Sequence, residues 1–274
     1  MGLIVVSGAS GRLGGRVARR LGRPMRLLVR DASRAPEIAG AEVAVAEYRD
    51  GPAVAKALEG AGTVLMVSAA ETPDRVGEHR SFVDAAAAAG VGHLVYTSFV
   101  GAAPDATFTL ARDHWATEQH IRDSGLTFTF LRDNLYADFL RFLVGEDGVI
   151  RGPAGDGRAA VVAQDDIADA ITAVLREPGE HAGKTYDLTG PEALSLGDVA
   201  ATISAVTGRE VRFHDESIPE AYASRSSFGA PEWQVDAWVS TYTAIAAGEL
   251  AAVTTAVADL TGHPATPLAK LLET

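Results

Sequence analysis

The sequence predicts an α/β fold, in which a doubly wound parallel sheet is joined to a smaller, mainly helical C-terminal lobe. Short apolar runs typical of buried strands alternate with helical segments, and this alternation favours parallel strands joined by crossover helices. A glycine-rich turn connects the first predicted strand to the first predicted helix. The 274 residues, 47% of them hydrophobic, are sufficient to bury a large core in one or two domains.

The glycine-rich turn is the most informative stretch. Residues 3–6 are apolar and predict a buried strand, and an amphipathic helix is expected from about Arg12. Between them, Gly8, Gly11 and Gly14 follow the pattern GxxGxxG, which lets the backbone turn tightly and approach a pyrophosphate at the helix N-terminus. We therefore predict a Rossmann dinucleotide site. The alternative is a glycine-rich turn that binds nothing.

Other kinds of site are excluded by the surrounding residues. No Gly-Lys-Ser/Thr follows the turn, so it is not a nucleoside triphosphate loop. Ser10 has Gly8 before it but Arg12 after it, so the GxSxG nucleophile elbow is absent. The seven histidines contain no HExxH pattern and no acidic cluster has metal-ligand spacing, so we predict no metal site.

The composition narrows the range of partners. The net charge of −12 disfavours nucleic acid, because its phosphates would be repelled. The chain has no cysteine, which removes disulfides, thiolate nucleophiles and cysteine metal ligands. The first residues enter a predicted strand directly, and no run of about 18 apolar residues occurs. We expect a cytoplasmic protein that does not enter a membrane.

The end of the second predicted strand, residues 25–29, bears on the choice of cofactor. An acidic residue here suits the ribose 2′-hydroxyl of NAD, whereas an arginine suits the 2′-phosphate of NADP. The strand ends in Arg30, with Arg12 in the glycine turn and Arg34 one turn later. Because a guanidinium binds phosphate in a bidentate manner, we predict NADPH over NADH. Asp31 leaves two alternatives open, contact with the 2′-hydroxyl or a solvated pair with Arg30.

The alternation of strands and helices continues along the chain. Further strands are predicted at residues 42–46, 63–67, 93–97, 127–131, 159–162, 185–188 and 211–213, and helices at 52–58, 74–89 and 165–175. The glycine-rich residues 145–157 predict a mobile connection.

Ligands of a parallel sheet lie beyond the carboxyl ends of its strands. The residues that follow two predicted strands there are Ser68, Ala69, Thr97, Ser98 and Phe99, and we expect them along a bound dinucleotide, the last three beside the nicotinamide. Asp50 is expected to cap the helix at residues 52–58, to meet the adenine edge, or both.

Several motifs together resemble one family. They are GASGRLGG, the VRD after the second strand, VDAAAAAGVGHLVYTS, RDSGLTFTFLRDNLY and KTYDLTGPEALSLGDVAATISAVTG, and they span nearly the whole chain. The pattern resembles the NmrA-like branch of the atypical short-chain dehydrogenase/reductases, and within it the NADPH-dependent quinone oxidoreductase type 2 and triphenylmethane reductase group. The resemblance implies an NADP(H) site on Gly8, Ser10, Gly11, Arg12, Leu13, Gly14, Arg30, Asp50, Ser68 and residues 97–99.

The resemblance also implies two lobes. The Rossmann domain is expected at residues 1–132 plus about 158–190, and the smaller substrate lobe at about 133–157 plus 191–274. Because helix-rich surfaces in this superfamily often pair, a homodimer is a further expectation.

The acid-base pair typical of the superfamily is missing from the sequence. Ordinary members use Tyr-x-x-x-Lys, in which the lysine lowers the pKa of the tyrosine that donates a proton. None of the six tyrosines is followed by a lysine at that spacing. The resemblance places that helix at LARDHWATEQH, where the corresponding spacing is His114 and Glu118. These two residues share a helix face, so Glu118 is a candidate for raising the pKa of His114 and making it a proton donor. The alternative is that His114 is an ordinary helix residue near the cofactor.

A missing acid favours acceptors that need little proton assistance. Quinones and cationic conjugated dyes accept hydride readily, whereas the alkoxide from a simple ketone needs an acid or an oxyanion hole. We therefore predict an NADPH-dependent reductase of a quinone or similar conjugated aromatic acceptor. The rival hypothesis is a non-catalytic NADP(H)-binding regulator that senses cofactor redox state. A nucleotide-sugar epimerase is disfavoured because it needs the tyrosine.

The resemblance places residues 132–136 along the substrate cleft. Asn134 is expected to be an amide donor there, and Tyr136 a wall whose hydroxyl reaches a quinone oxygen. The alternative is a helix cap at Asn134 and a buried Tyr136. In the C-terminal lobe, Trp233 is the candidate for stacking on a flat substrate. The alternative is core packing of both tryptophans, which is favoured for Trp238. Phe99, beside the nicotinamide, is a further substrate contact.

Overall fold

The computed structural model describes residues 2–273. In chain order its strands are β1 (Leu3–Ser7), β2 (Met25–Val29), β3 (Glu42–Val45), β4 (Ala61–Met66), β5 (His93–Phe99), β6 (Phe128–Asp133), β7 (Val149–Gly152), β8 (Arg158–Ala159), β9 (Thr185–Leu188), β10 (Leu194–Ser195) and β11 (Arg212–Asp215). The helices are α1 (Arg12–Leu21), α2 (Gly51–Leu58), α3 (Arg75–Ala88), α4 (Thr109–Asp123), α5 (Gln164–Arg176), α6 (Leu196–Thr207), α7 (Ile218–Ser226), α8 (Glu232–Ala246), α9 (Ala256–Thr261) and α10 (Leu268–Leu272).

Within this described range, the main sheet contains seven strands in the order β3-β2-β1-β4-β5-β6-β9. The strands from β3 to β5 pair in parallel, as the crossover helices require. All seven residues of β5 are buried, which is typical of a parallel strand covered on both faces. The sheet confirms the predicted α/β, doubly wound fold class.

The strand order reverses at β1. The chain passes from β1 to β2 and β3 on one side, and then to β4 and β5 on the other. In open α/β sheets, the crevice beyond the carboxyl ends of the strands at such a reversal is where ligands bind. The glycine turn after β1 and the loop after β4 flank this position.

The chain forms two compact units. Unit 1 comprises the residues up to Phe99 with Asp113–Arg132 and Ile167–Tyr186, and unit 2 comprises Val100–Arg112, Asp133–Asp166 and the residues from Asp187 onward. The predicted lobes differ from these units at residues 100–112, 158–166 and 187–190. Hydrogen bonds link all three segments to unit 2: Thr107 N donates to Glu249, Ala160 N donates to Leu250 O at 2.8 Å, and Gly190 N donates to Ala160 O at 3.2 Å.

The core of unit 1 lies around the central strands. Apolar residues of β1, β4 and β5 pack with those of α2 and α3, and Val5, Val64, Leu94 and Phe82 are fully buried. This burial fixes the register of the strands, because a shift by one residue would turn their apolar side chains outward.

Unit 2 contains two short strand pairs. β7 pairs with β11 in parallel, and β8 pairs with β10 in antiparallel fashion. The prediction of a mobile connection at residues 145–157 is wrong in its central part, because Ile150 is fully buried opposite Phe213. The strand predicted at 159–162 is limited to β8, while Val162 makes an isolated bridge with Tyr136.

No helix among residues 2–273 is long and apolar enough to cross a membrane. In the same range, no group of three or more His, Cys, Asp or Glu side chains is placed to hold a metal ion.

Candidate functional site

The turn after β1 has the geometry that a close-approaching pyrophosphate needs. Gly8 has a φ of 60°, a left-handed conformation that favours glycine, and its carbonyl oxygen accepts a hydrogen bond from Gly11 N at 2.8 Å. A Cβ built on Gly14 would lie 2.4 Å from Gly8 O and 2.9 Å from Ser7 O. Glycine is therefore needed at Gly8 for the turn and at Gly14 for the packing of α1 against β1.

The N-terminus of α1 favours an anion. Gly11 is the N-cap residue, it provides no side-chain cap, and the first turn contains no acidic residue. Arg12 is exposed at the first helical position, whereas Leu13 is buried on the core face of the helix. The positive end of the helix dipole and a guanidinium thus occur together beside the glycine turn.

Buried hydroxyl groups fix the backbone at the end of β4. Val67 N donates to Ser7 Oγ at 3.0 Å, and Tyr48 OH donates to Val67 O at 2.6 Å. Because the Tyr48 proton is used there, the Ser7 hydroxyl donates to Tyr48. Burial raises the pKa of Tyr48, so its phenol remains a neutral donor. Neither Ser7 nor Tyr48 has a local sequence signal for this role, because their hydrogen-bond partners are distant along the chain.

The loop after β4 is held by a second set of side chains. Ser68 N donates to Thr97 Oγ1 and Ala69 N donates to His79 Nε2, both at 2.8 Å. Arg75 Nε donates to Ala69 O at 3.0 Å. The positions of Ser68 and Ala69 beside the glycine turn are therefore set by buried residues of α3 and β5. Arg75 and His79 were also missed from the sequence.

The carboxyl end of β5 is buried. Thr97 accepts from Ser68, and Ser98 Oγ donates to Glu118 Oε1 at 2.6 Å, so both hydroxyl groups have partners within unit 1. The Phe99 ring stacks on the His114 ring with 6.0 Å between centroids. A cofactor contact at residues 97–99 stays a prediction.

His114 is locked in a buried polar cluster. Arg75 Nη2 can only donate, so it donates to His114 Nε2 at 3.0 Å, and His114 Nδ1 then donates to Tyr96 OH at 2.9 Å. Burial, followed by the positive charge of Arg75, holds the pKa of His114 well below its usual value. His114 is therefore neutral near neutral pH, and the geometry supports the alternative of a helix residue rather than a proton donor.

Glu118 has a different partner from the one predicted. Its fully buried carboxylate accepts from Arg132 Nε at 2.8 Å and from Arg132 Nη2 at 2.7 Å. The prediction that Glu118 raises the pKa of His114 is wrong, because this bidentate pair turns the carboxylate toward β6.

The end of β2 presents a cation. Arg30 is exposed there, while Asp31 Oδ1 accepts from Ser33 N at 2.9 Å and from Ser33 Oγ at 2.7 Å. These hydrogen bonds lower the pKa of Asp31, and the bond from the Ser33 side chain has the larger effect. Asp31 thus caps the short 3₁₀ helix Ala32–Arg34, an arrangement that neither alternative included. Asp50 caps α2 through Ala53 N at 3.1 Å, which confirms its predicted capping role.

The residues predicted to contact substrate from unit 2 differ in their exposure. Asn134 is fully buried, its Nδ2 donates to Leu250 O at 3.0 Å and its Oδ1 accepts from Leu135 N at 2.7 Å. The Asn134 side-chain amide is therefore hydrogen-bonded to two backbone groups, and this geometry does not support its predicted role as a donor to the substrate. Tyr136 and Trp233 are half-buried, whereas Trp238 packs against the buried cluster of Ala221, Val235 and Val239 as expected.

Asp133 is a buried residue of this segment that the sequence analysis did not select. It is 2% exposed, and its Oδ2 accepts a hydrogen bond from Tyr136 OH at 2.9 Å. Burial raises the pKa of Asp133 to about 8. The raised pKa of Asp133 could not be predicted from the sequence, because an acidic residue at the end of a strand can be either buried or exposed.

Comparison with known proteins identifies relatives along the whole chain. The model of the NmrA-like family matches residues 1–230. NAD(P)H azoreductase of Xenophilus azovorans is 33% identical over 276 residues, which cover 98% of this chain and 96% of that protein.

Two solved structures are similar in fold and sequence. The NADPH complex of an NADPH-dependent quinone oxidoreductase from Escherichia coli superposes with a TM-score of 0.91 at 33% identity, covering 98% of both chains. The NADP(H) complex of a triphenylmethane reductase from Citrobacter sp. superposes with a TM-score of 0.88 at 32% identity, covering 98% of this chain and 99% of that one.

Proposed function

The chain belongs to the NmrA-like family, and on this premise we propose that it is an NADPH-dependent oxidoreductase that reduces quinones or similar conjugated acceptors. The observation that carries the proposal is the glycine turn at the reversal of the strand order. Gly8 is left-handed, Gly14 leaves no room for a Cβ, and the adjoining end of α1 lacks a side-chain cap. This combination suits the close approach of a pyrophosphate.

The residues of unit 1 fit a dinucleotide. Backbone amides of the turn from Gly8 to Gly14 would hold the pyrophosphate, with Ser10 and Arg12 as side-chain contacts. The exposed guanidinium of Arg30 would hold the 2′-phosphate, because Asp31 is turned to Ser33 and leaves the position cationic. The Ser68–Ala69 loop and the end of β5 would line the remainder. When bound, NADPH supplies a hydride.

His114 and Glu118 of α4 do not supply an acid, which favours an acceptor whose reduced anion is a weak base. His114 is neutral and bonded at both ring nitrogens, and Glu118 is ion-paired with Arg132. Neither group is arranged to protonate an alkoxide of high basicity, whereas the anion left by hydride addition to a quinone is a weak base. Tyr136 and Trp233 are proposed to contact the acceptor, through the phenol hydroxyl and by ring stacking respectively.

Turnover with a panel of acceptors tests the proposal. Purified protein is mixed with NADPH and, in separate reactions, with a simple quinone, an azo dye and a cationic triphenylmethane dye, while the nicotinamide absorbance is followed. The expected result is protein-dependent oxidation of NADPH with at least the quinone, and faster turnover with NADPH than with NADH. Oxidation no faster than in protein-free mixtures with every acceptor would overturn the proposal.

A further inference from the structure

The carboxyl group of Asp133 is buried in unit 2 and makes only part of the hydrogen bonds that a carboxylate needs. Asp133 is the last residue of β6. Two backbone hydrogen bonds of 3.0 Å fix the chain here, because the Asp133 carbonyl oxygen accepts from Val100 N and the next amide, Asn134 N, donates to Leu188 O. Its Oδ2 accepts from the Tyr136 hydroxyl at 2.9 Å. Its Oδ1 is buried and has no hydrogen-bond partner among residues 2–273.

Three other carboxyl residues that are buried, among residues 2–273, are compensated. Glu118 pairs with Arg132, and Glu216 pairs with Arg225 at 2.8 Å. Asp166 accepts from Thr266 N at 2.6 Å and from Thr266 Oγ1 at 2.9 Å. A buried carboxylate without a cation or a full set of donors is costly, and such a group avoids the cost by keeping its proton.

The surroundings of Asp133 are consistent with a retained proton. Within residues 2–273, the titratable side chain that is hydrogen-bonded to Asp133 is Tyr136, and Asp133 forms no ion pair. The charged neighbours face elsewhere: Arg132 binds Glu118, and Asp138 Oδ2 accepts from Gln164 N at 2.8 Å. Desolvation is accordingly the main cause that raises the pKa of Asp133, to about 8.

Tyr136 connects this buried proton to the surface of unit 2. Its side chain is half-buried, and its ring lies 5.8 Å from that of Phe139, which is 40% exposed. The Tyr136 hydroxyl thus contacts a buried residue, Asp133, while the Tyr136 ring contacts an exposed aromatic residue. The hydroxyl is bonded to the buried carboxyl group, and a phenol hydroxyl both donates and accepts hydrogen bonds, so it can pass on a proton that it receives from the carboxyl group.

We propose that Asp133 and Tyr136 form a proton-donating pair for the acceptor, in which Tyr136 is the direct donor and Asp133 the proton reservoir behind it. This inference rests on the proposed reductase function. It assigns the missing role of the Tyr-x-x-x-Lys pair to residues of a different segment, and it supplies the proton that a quinone needs after it has accepted hydride.

The proton and electron balance is complete. NADPH, when bound, would supply a hydride that carries two electrons to the quinone, which would become a hydroquinone monoanion, with NADP⁺ as the oxidised product. In the proposed step the Tyr136 O–H turns from Asp133 Oδ2 toward that anion and breaks as a new O–H bond forms on it, and the Asp133 proton, carried on Oδ2, passes to the Tyr136 oxygen. Asp133 is left as a carboxylate that accepts a hydrogen bond from Tyr136, and water then returns its proton.

A pair of acceptors with different proton needs tests this inference. A quinone takes up hydride and a proton, whereas a cationic triphenylmethane dye becomes neutral on taking up hydride alone. Tyr136→Phe and Asp133→Asn should each lower the ratio of quinone turnover to dye turnover about tenfold or more. Asp133→Asn preserves the shape of the side chain, and circular dichroism checks that each variant is folded.

The surface pair of Tyr222 and Asp236 provides matched controls. The Tyr222 hydroxyl donates to Asp236 Oδ1 at 2.8 Å and Tyr222 is 40% exposed, so Tyr222→Phe and Asp236→Asn remove the same chemical groups from an exposed pair. Both controls should keep the wild-type ratio of quinone to dye turnover.

Infrared spectroscopy of the protein without cofactor gives a second, activity-free readout. A protonated carboxyl band should be present at pH 6, disappear as the pH is raised past 9, and be absent from Asp133→Asn. Loss of that band together with the lowered ratio supports the pair. An unchanged ratio in both variants, or a band identical in Asp133→Asn, overturns it. If the wild-type protein reduces neither acceptor, the reductase function itself fails, which is a distinguishable result.

Discussion

Gly14 packs against Gly8 so closely that the two residues leave no space for a side chain between α1 and the end of β1. A Cβ on Gly14 would lie 2.4 Å from Gly8 O and 2.7 Å from Gly8 C, both backbone atoms that cannot move without changing the turn. The same carbonyl accepts the hydrogen bond from Gly11 N that closes the turn. The shape of the proposed pyrophosphate site therefore depends directly on this contact.

Replacement of Gly14 by alanine should disrupt both packing and binding. The added methyl group forces α1 away from the turn, and overpacking of this kind costs about 1–3 kcal/mol. We expect Gly14→Ala to lower the free energy of unfolding by that amount and to weaken NADPH binding at least tenfold, as measured by urea unfolding and calorimetric titration. Gly197→Ala in α6, where the nearest atom is Ser195 Oγ at 3.6 Å, is the control and should change neither value.

The charge of Arg30 should set the preference for NADPH. A charge-assisted hydrogen bond contributes about 1.5–3 kcal/mol, so Arg30→Glu should weaken NADPH binding roughly 10- to 100-fold while changing NADH binding much less. Fluorescence titration with both cofactors measures this difference. Arg212→Glu makes the same charge change on an exposed residue of unit 2 and should leave both affinities unaltered. An unchanged ratio of affinities in Arg30→Glu would show that another group recognises the 2′-phosphate.

Asp133 should make the folded protein less stable as the pH rises. The folded protein keeps the Asp133 proton up to about pH 8, whereas the unfolded chain releases it near pH 3.8. The stabilisation is complete below pH 3.8, and between these values it declines by up to about 1.4 kcal/mol per pH unit. Urea unfolding between pH 5.5 and pH 7.5 should therefore give a flatter dependence for Asp133→Asn than for the wild-type protein. Parallel curves for the two proteins would contradict the raised pKa.

His79 should act in the opposite direction on the acid side. Burial, followed by the charge of Arg75, lowers the pKa of His79 from 6.5 to about 3. The unfolded chain therefore binds a proton below pH 6.5 that the folded protein does not, and stability falls by up to about 1.4 kcal/mol per unit as the pH decreases toward 3. His79→Gln should reduce this loss in unfolding measurements at pH 6.5 and pH 5. His120→Gln is the control, because His120 is more exposed and contacts Asp84. This variant should lose as much stability at low pH as the wild-type protein does.

Local patterns were sufficient to predict much of the fold. The apolar run at 25–29 is β2 and residues 185–188 are β9, both with the predicted bounds. For β2 the reason is that a short buried strand between turn residues has a clear local signal. The glycine turn was predicted for the same reason, since its spacing reflects backbone conformation within seven residues. Asp50 as the cap of α2 is another local feature, which depends on Ala53 three residues later.

Features that depend on distant partners were not predictable from these patterns. β7 is a strand because it pairs with β11, about 60 residues later, and nothing within the glycine-rich stretch indicates that partner. His114 and Glu118 share a helix face as their spacing predicts, yet Arg132 from β6 determines where Glu118 points. Asp133 owes its raised pKa to burial, which only the assembled structure defines.

The most direct test of the central claim is the stoichiometry of quinone reduction without oxygen. NADPH and benzoquinone are incubated with the protein, and both NADPH oxidation and hydroquinone formation are measured against a protein-free mixture and against Gly14→Ala. We expect one hydroquinone for each NADPH oxidised, at a rate proportional to the concentration of the wild-type protein and at least tenfold lower with Gly14→Ala. NADPH that binds tightly but is oxidised no faster than without protein would contradict it, and would favour a cofactor-binding regulator.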